Sequence, residues 1–296
     1  MSSKKILWGL LASMLLVLPA CGDDDEDQPS PSASGQKISS MTFFGQTFAS
    51  FKYDNQGRMT LLRIVDEDEI RISYSPLRIE FIEYDEDYTT ISVLSDITTN
   101  HAGYITSATV TEEDEGTVDT WHMSFTYNSD NYLTSTNDHE GVTCHLEWKG
   151  SRLMNTSYID SEVGGYTETL TYSDAENKAK NVSFFWFNLS TYLMTGLFGE
   201  VPGYLPSQVY TEEYSEKGNG SGWRETTICN LAYKLNSDGS IAKEQVVMDD
   251  EPPMVISYNY ISSRASVSEA GASADAFKVF NKKSSRKYRL FHKRKS

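Results

Sequence analysis

Between Phe51 and Tyr74 the chain follows a pattern that few folds can absorb. Phe51-Lys52-Tyr53 runs into Asp54-Asn55-Gln56-Gly57. Met59 to Val65 follows, the chain breaks at Asp66-Glu67-Asp68-Glu69, and Ile70, Ile72 and Tyr74 resume at every second position. A period of two puts one set of side chains on a buried face and the other in water, which is the signature of a half-buried strand. Gly57 supplies a positive φ without steric cost, so Asp54 to Gly57 reads as a tight turn, and the acidic run reads as a second one. The unit is strand, tight turn, strand, acidic turn, strand.

The same phrase returns in altered form. Phe125 to Leu133 (FTYNSDNYL) carries Asn131 where Gly57 stood, and Asn is the next residue to tolerate positive φ. Leu146 to Met154 turns at Lys149-Gly150, Leu231 to Ile241 at Asp238-Gly239, and Thr98 to Ile105 around Gly103. Further acidic loops fall at Asp85 to Asp87, Glu112 to Glu115 and Asp249 to Glu251. The glycines are irregularly spaced, which excludes a solenoid of fixed period. Eighteen Tyr and thirteen Phe against eight Pro favour strands over helices. The expected fold is all-β: a many-stranded antiparallel meander, strongly curved or barrel-like, with one short helix packed against the sheet.

That helix is the segment Asn188 to Gly199, where Leu189, Tyr192, Leu193, Leu197 and Val201 recur at helical spacing. Asn188 fits an N-cap, and Gly199 with Pro202 a stop. About three turns would not hold alone. The segment either fills space on the concave face of the sheet or acts as a lid over a pocket flanked by Val201 to Tyr204. The preceding run Phe184-Phe185-Trp186-Phe187 cannot alternate between core and water, and core packing accounts for it.

The start of the chain is of a different kind. Lys4 and Lys5, an apolar run from Ile6 to Leu18, and small residues before Cys21 form a secretory signal sequence, too short for a permanent membrane helix. Leu18-Pro19-Ala20-Cys21 resembles the lipobox of bacterial lipoproteins. That resemblance implies cleavage before Cys21 and acylation of its sulfur and new amino group, with the membrane as partner through this lipid. The alternative is an ordinary signal peptide cut after Ala20. Residues 22–37 are acidic and rich in Pro and Ser, a solvated tether. Their cluster Asp23, Asp24, Asp25, Glu26 and Asp27, directly behind the cysteine, resembles the surface-export signal of Bacteroides-like lipoproteins. The domain boundaries that follow are a signal peptide at 1–20, a lipidated tether at 21–37, a hairpin domain at 38–260 and a Ser/Ala-rich, then basic, tail at 261–296.

The phrases FKYDNQGRMT, FTYNSDNYLT and LAYKLNSDGSI look like Tyr-Asp (YD/RHS-like) hairpin repeats. Their order with NHAGYITS, LEWKGSRLM and FGEVPGYLPS, behind a lipobox, resembles an uncharacterised family of Bacteroides-type surface lipoproteins, a domain of unknown function. The resemblance covers roughly residues 38 to 260. It implies fold and address and brings no catalytic residue with it.

Chemistry is sparse. Net charge is −16, and nine of the 26 basic residues lie between Lys278 and Lys295, so the body is more acidic still and should repel nucleic acid. Asp138-His139-Glu140 with Cys144 and His145 has metal-ligand residue types but neither HExxH nor paired CxxC spacing, and a surface turn explains it. No nucleophile elbow, P-loop or dinucleotide fingerprint occurs. Neither a metal nor a cofactor is expected. Cys144 and Cys229 fall in register with apolar neighbours and are either buried thiols or, in an exported protein, a disulfide. Trp223 in a Gly-rich stretch (KGNGSGWRE) and Tyr204 are the candidate ligand-binding aromatics. The function expected is a non-catalytic envelope module that binds a glycan or a protein. An accessory component partnering another envelope protein and a carboxylate-dependent hydrolase are the alternatives.

Overall fold

A computed structural model describes residues 36–65, 68–84, 89–114, 116–138, 143–160, 164–187, 189–215, 222–249 and 251–261. The signal peptide, Cys21, Asp23 to Asp27 and the basic tail lie outside them. Sixteen antiparallel strands follow one another around a closed barrel. They are β1 (Ile38–Phe43), β2 (Gln46–Tyr53), β3 (Met59–Ile64), β4 (Asp68–Tyr74), β5 (Leu77–Tyr84), β6 (Thr89–Thr99), β7 (Ile105–Asp114) and β8 (Thr117–Tyr127), then β9 (Leu133–Asp138), β10 (Thr143–Lys149), β11 (Arg152–Asp160) and β12 (Gly164–Glu176), and finally β13 (Tyr204–Ser215), β14 (Trp223–Leu235), β15 (Ile241–Met248) and β16 (Met254–Tyr260). Each strand pairs with its neighbours in sequence, and β1 pairs with β16 from Ile38↔Tyr260 to Phe43↔Ile256. The expected curved meander is therefore a closed one.

The tight turns lie at one end. Asp54, Asn100 and Asn128 each accept two backbone N–H bonds on the side-chain oxygen, from residues two and four ahead. The fourth residue of each turn takes positive φ: Gly57 at 79°, Gly103 at 84° and Asn131 at 61°. Asn236 to Ser240 closes with the same backbone bonds around Gly239 at 85°. Asn177 to Asn181 keeps the Lys180 N–H bond to Asn177 O, with Lys180 at 54°, but sends the Asn177 N–H to Gly203 O, a turn the sequence pattern does not advertise.

Just inside this end runs a ring of aromatic latches. Tyr53, Tyr74, Tyr127, Tyr172 and Tyr260, each near the end of an even-numbered strand, donate their hydroxyls to the carbonyls of Ile38, Met59, Ile105, Leu153 and Ile241 at 2.6–3.0 Å. Trp148 Nε1 does the same to Leu133 O at 2.7 Å. Every latch ties an even-numbered strand, near its end, to the first or second residue of the odd-numbered strand before it. Burial raises the hydroxyl pKa of all five tyrosines, that of Tyr74 to about 12, so they remain donors at any physiological pH.

Residues 177–203 fold back into the barrel as a plug. Trp186, Leu193 and Phe198 are fully buried there. Phe184 packs edge-on against Phe48, Tyr192 against Phe81, and Phe198 against Phe125. All of Phe184 to Phe187 is buried or half-buried, as core packing required. The helix α1 spans only Ser190–Met194, shorter than the Asn188–Gly199 expected. Gly196 and Gly199 turn the chain with φ of 75° and 110°, so Leu197 and Val201 are buried from irregular chain. Asn188 lies outside the described residues, and Leu189 before the helix makes no side-chain cap. Enclosure within the barrel supplies the stability that about one turn lacks by itself. The segment is filler and no lid.

The wall has a clear polarity. On β8, Trp121 and Phe125 face in while His122, Ser124 and Thr126 face out; on β12, Tyr166 and Leu170 face in while Thr167 and Thr169 face out. The outer face of β3 to β5 carries an ion-pair ladder that runs the length of β4: Glu69 accepts from Arg63 at 2.6 Å and from Arg71, and Arg78 reaches Glu80 at 2.9 Å. Burial disfavours the Glu69 charge, but the two guanidiniums outweigh it and hold the carboxyl below its ordinary range. Replacing Tyr172 by Phe should leave the Leu153 carbonyl without its donor and cost about 1 kcal/mol of stability. Tyr53→Phe, on a distant hairpin, should add to it independently; urea unfolding of both single variants and the double checks this.

Candidate functional site

Plug, aromatic latches and the Asx-type turns occupy one end, and the other end is the candidate site. Cross-strand pairing fixes what faces inward there. Leu170, Val209 and Cys229 form an apolar row. The next row outward is Thr156, Glu168, Thr211 and Thr227, then Tyr158, Tyr166, Glu213 and Glu225, and at the rim Ser215 and Trp223. The inner wall thus changes from apolar to polar over about three rows. Thr156 donates to Glu168 Oε2 at 2.5 Å, and the rings of Tyr158 and Tyr166 stack at 5.6 Å. Across the barrel Ser92 donates to Glu112 at 2.9 Å. Two buried hydroxyls on this wall, Thr211 Oγ1 and Thr90 Oγ1, make no hydrogen bond among the described residues.

Charge divides between the two ends. Among the described residues, the turns at this end, taken with two strand residues on either side, carry nine acidic residues and two basic ones, Arg63 and Arg224. The same count at the plugged end, including residues 36–39 and 259–261, gives five acidic and nine basic. So lopsided a distribution makes a field that steers charged partners.

Trp223 opens β14 at the acidic rim, on the inward-facing parity of Cys229 and Leu231, and is 39% exposed. Tyr204 opens β13 at the opposite end, where the Arg152 guanidinium lies 4.0 Å above its ring. The two expected ligand aromatics are therefore separated by the length of β13, on the order of 35 Å, and form no common site. Cys144 and Cys229 are both buried and free, which corrects the disulfide alternative. They sit on β10 and β14, four strand spacings or ~19 Å along the wall, beyond the reach of a bridge. Burial and the neighbouring Glu168 push the Cys144 thiol up to about 12, so it is no nucleophile. His145, between Cys144 and Leu146 on β10, faces out while they face in. His139 and Glu140 lie outside the described residues. Among the described residues no group of three or more His, Cys, Asp or Glu is placed to hold a metal.

A second polar cluster fastens the plug. Glu244, fully buried on β15, accepts from Ser183 of the plug at 2.5 Å and from Tyr258 of β16 at 2.6 Å. Trp186 Nε1 and the Tyr233 hydroxyl face the same carboxyl, but neither they nor Oε1 closes a hydrogen bond within normal distance. Burial pushes the Glu244 carboxyl up to about 7 against the pull of these donors. Asn181 adds a second tie, accepting from Ile241 N–H at 3.1 Å and Tyr260 OH at 3.0 Å. The chemistry here is fastening: neither substrate nor solvent reaches it.

No protein-family model matches the sequence, and no curated protein matches it either. Among solved structures the chain is similar to a porin-like protein from Bacteroides uniformis ATCC 8492, with 18% identity, 77% of this chain and 99% of that one covered, and a TM-score of 0.48. It is also similar to a porin-like protein from Bacteroides vulgatus ATCC 8482, with 12% identity, 76% and 99% covered, and a TM-score of 0.39.

The buried carboxyl has a pH signature. The folded protein keeps the Glu244 proton up to about pH 7, whereas the unfolded chain releases it near its ordinary value of 4.5. Folded stability should therefore fall as pH rises through that window, by roughly 3 kcal/mol, and level off above it. Glu244→Gln should remove this slope, which unfolding free energies at the two ends of the window would measure; an unchanged slope would assign it elsewhere.

Proposed function

We propose that this chain is a lipid-anchored cell-envelope protein whose barrel works in water as a non-catalytic binding module for a glycan or protein. The observation that carries the reading is the polarity of the wall. A barrel that spans a membrane turns an apolar band ~25 Å tall toward lipid and keeps its interior polar. Here Arg71 lies at the centre of β4, His122 at the centre of β8 and Asn230 near the centre of β14, all facing out. The interior is closed by Trp186, Leu193 and Phe198. An arginine at a bilayer midplane costs roughly 2–4 kcal/mol, and Arg71, tied to Glu69, stands at the middle of the outer ladder with Arg63 and Arg78 toward its two ends. Such a wall favours water.

A barrel in water needs another means of staying with the envelope. The lipobox-like stretch before Cys21 supplies one, and the acidic cluster Asp23 to Asp27 supports export to the surface. Residues 22–37 then lead into β1 at the plugged end, and Ile261, whose N–H bonds Lys37 O at 2.9 Å, leaves from the same end. The plugged end stands toward the membrane and the acidic end away from it. A ligand arriving from outside meets the acidic end first.

Cys21→Ala should shift the full chain from the membrane to the soluble fraction, and protease added to intact cells should degrade the lipidated protein while a periplasmic control survives. Added to planar bilayers, the purified protein should give no conductance steps. Stepwise conductance would overturn the aqueous-barrel reading, and membrane retention of Cys21→Ala would overturn the anchor.

A further inference from the structure

Two threonines face the barrel interior with nothing to bond. Thr90 on β6 and Thr211 on β13 are 2% and 1% exposed, and neither Oγ1 makes a hydrogen bond among the described residues. A buried hydroxyl without a partner is destabilising, so two of them call for an explanation. Each is the cross-strand partner of an inward glutamate, Thr90 of Glu83 and Thr211 of Glu168. Side chains opposed in this way start ~5 Å apart. A second hydroxyl adjoins each pair: Ser92, which donates to Glu112 at 2.9 Å, and Thr156, which donates to Glu168 at 2.5 Å. Glu83 on β5 and Glu168 on β12 stand seven strands apart in a ring of sixteen, almost diametrically opposed.

Between the two walls lies α1. The Tyr192 ring packs on Phe81 at 5.3 Å. Burial raises the pKa of its hydroxyl, reinforced by Glu83 from one wall and by Cys144 and Tyr158 from the other, so α1 stands between them. Phe81, Glu83, Ser92, Glu112, Tyr158 and Tyr192 are only half-buried although the five wall residues all face inward. In a closed barrel that residual exposure belongs to internal space, on the side of the plug away from the Asx-type turns. Its charge is of one sign. Among the described residues on this side of the plug no lysine, arginine or histidine faces inward; Arg63, Arg71, His122, His145 and Arg224 all face out.

We propose that this chamber binds an extended organic dication, a linear diamine or polyamine, with one ammonium at the Glu83–Thr90 pair and another at the Glu168–Thr211 pair. The chemistry of the two pairs selects the ligand. An ammonium group carries three donors and no acceptor, and each pair offers a carboxylate beside a hydroxyl oxygen that lacks a donor. Among the described residues no three acidic groups converge as a metal ion requires, which favours a ligand that carries its charges apart. The rings of Tyr192, Phe81 and Tyr158 lie between, and aromatic faces accept both methylenes and cationic groups. This goes beyond the binding-module reading and needs only the closed barrel with its plug.

The test is calorimetric titration of the full chain in detergent with cadaverine, longer linear diamines and spermidine, and with butylamine as the single-headed control. A diamine should bind more tightly than butylamine, and more weakly as salt rises. Glu83→Gln should weaken diamine binding roughly tenfold and bring it close to that of butylamine. Thr211→Val keeps the shape and deletes only the hydroxyl. It should weaken diamine binding severalfold while leaving the thermal stability of the empty protein unchanged or raised, because an unbonded hydroxyl contributes nothing there. Tyr192→Leu should weaken binding too, and Glu147→Gln on the outer face should leave it unchanged. Absence of diamine binding, equal affinity for butylamine, or equal loss with Glu147→Gln would overturn the two-headed site. Binding of a neutral oligosaccharide in place of the diamines, lost in Tyr192→Leu, would overturn the cation and assign the chamber to a sugar. Conductance and the Cys21→Ala fractionation report on the anchored-module reading separately, so failure of one is not mistaken for failure of the other.

Discussion

A ring of sixteen strands encloses more volume than its own inward side chains can fill. In an apolar barrel that excess must be taken up by protein, because a void leaves its lining without partners. The insertion between β12 and β13 does this, and much else follows from it. The plug has to be fastened, and Glu244 and Asn181 do so through hydrogen bonds with Ser183, Tyr258 and Ile241, while Asn177 ties the two ends of the plug together through the Pro202 carbonyl. Polar groups buried so deeply are costly unless paired. They sit where the plug meets β15 and β16 and fix one position for a segment that hydrophobic contact alone would let slide.

The plug also assigns different work to the two ends. At its own end the backbone is bound up in repeated turns and tyrosine latches, with Glu200 N–H on Asn131 O and Gly203 N–H on Ser151 O joining plug to turn. Little there is free to vary. At the other end the strands emerge without an internal support, their turns are acidic and dissimilar, and the inner wall becomes polar. A scaffold rigid at one end and chemically varied at the other is a common arrangement for binding proteins, because loops recognise best when something holds their bases still.

Much of the fold was legible in the sequence because its signals are local. The period of two, the Asx-type turns at Asp54 and Asn128, and Asn131 in place of a glycine all describe what a few adjacent residues do. A barrel was one of the two expected forms, but which strands close it was not legible: pairing of β1 with β16 joins residues more than 200 positions apart, and nothing in either strand names its partner. The helix was overread, since apolar spacing at Leu189, Tyr192, Leu193, Leu197 and Val201 suits a compact plug as well as a helix. The buried carboxylates left a trace. Glu168 shares parity with Tyr166 and Leu170, and Glu244 with Val246, each an acid on an apolar face. Trp223 was found by its setting. Its separation from Tyr204 depends on which end each strand starts from, which only the topology supplies.

The seam between the first and last strands has a consequence for how the molecule is made. Hairpins such as β2–β3 or β7–β8 can pair as soon as both strands exist. The Ser40↔Asn259 register and the Asn259 side-chain bond to Ser40 cannot form until the chain has been delivered almost to its end. Until then β1 presents a bare edge, the plug has only a half-built cylinder around it, and its aromatic face is uncovered. A chain of this design stays an open sheet until its sixteenth strand is in place, so closure of the cylinder is a late, long-range step of folding.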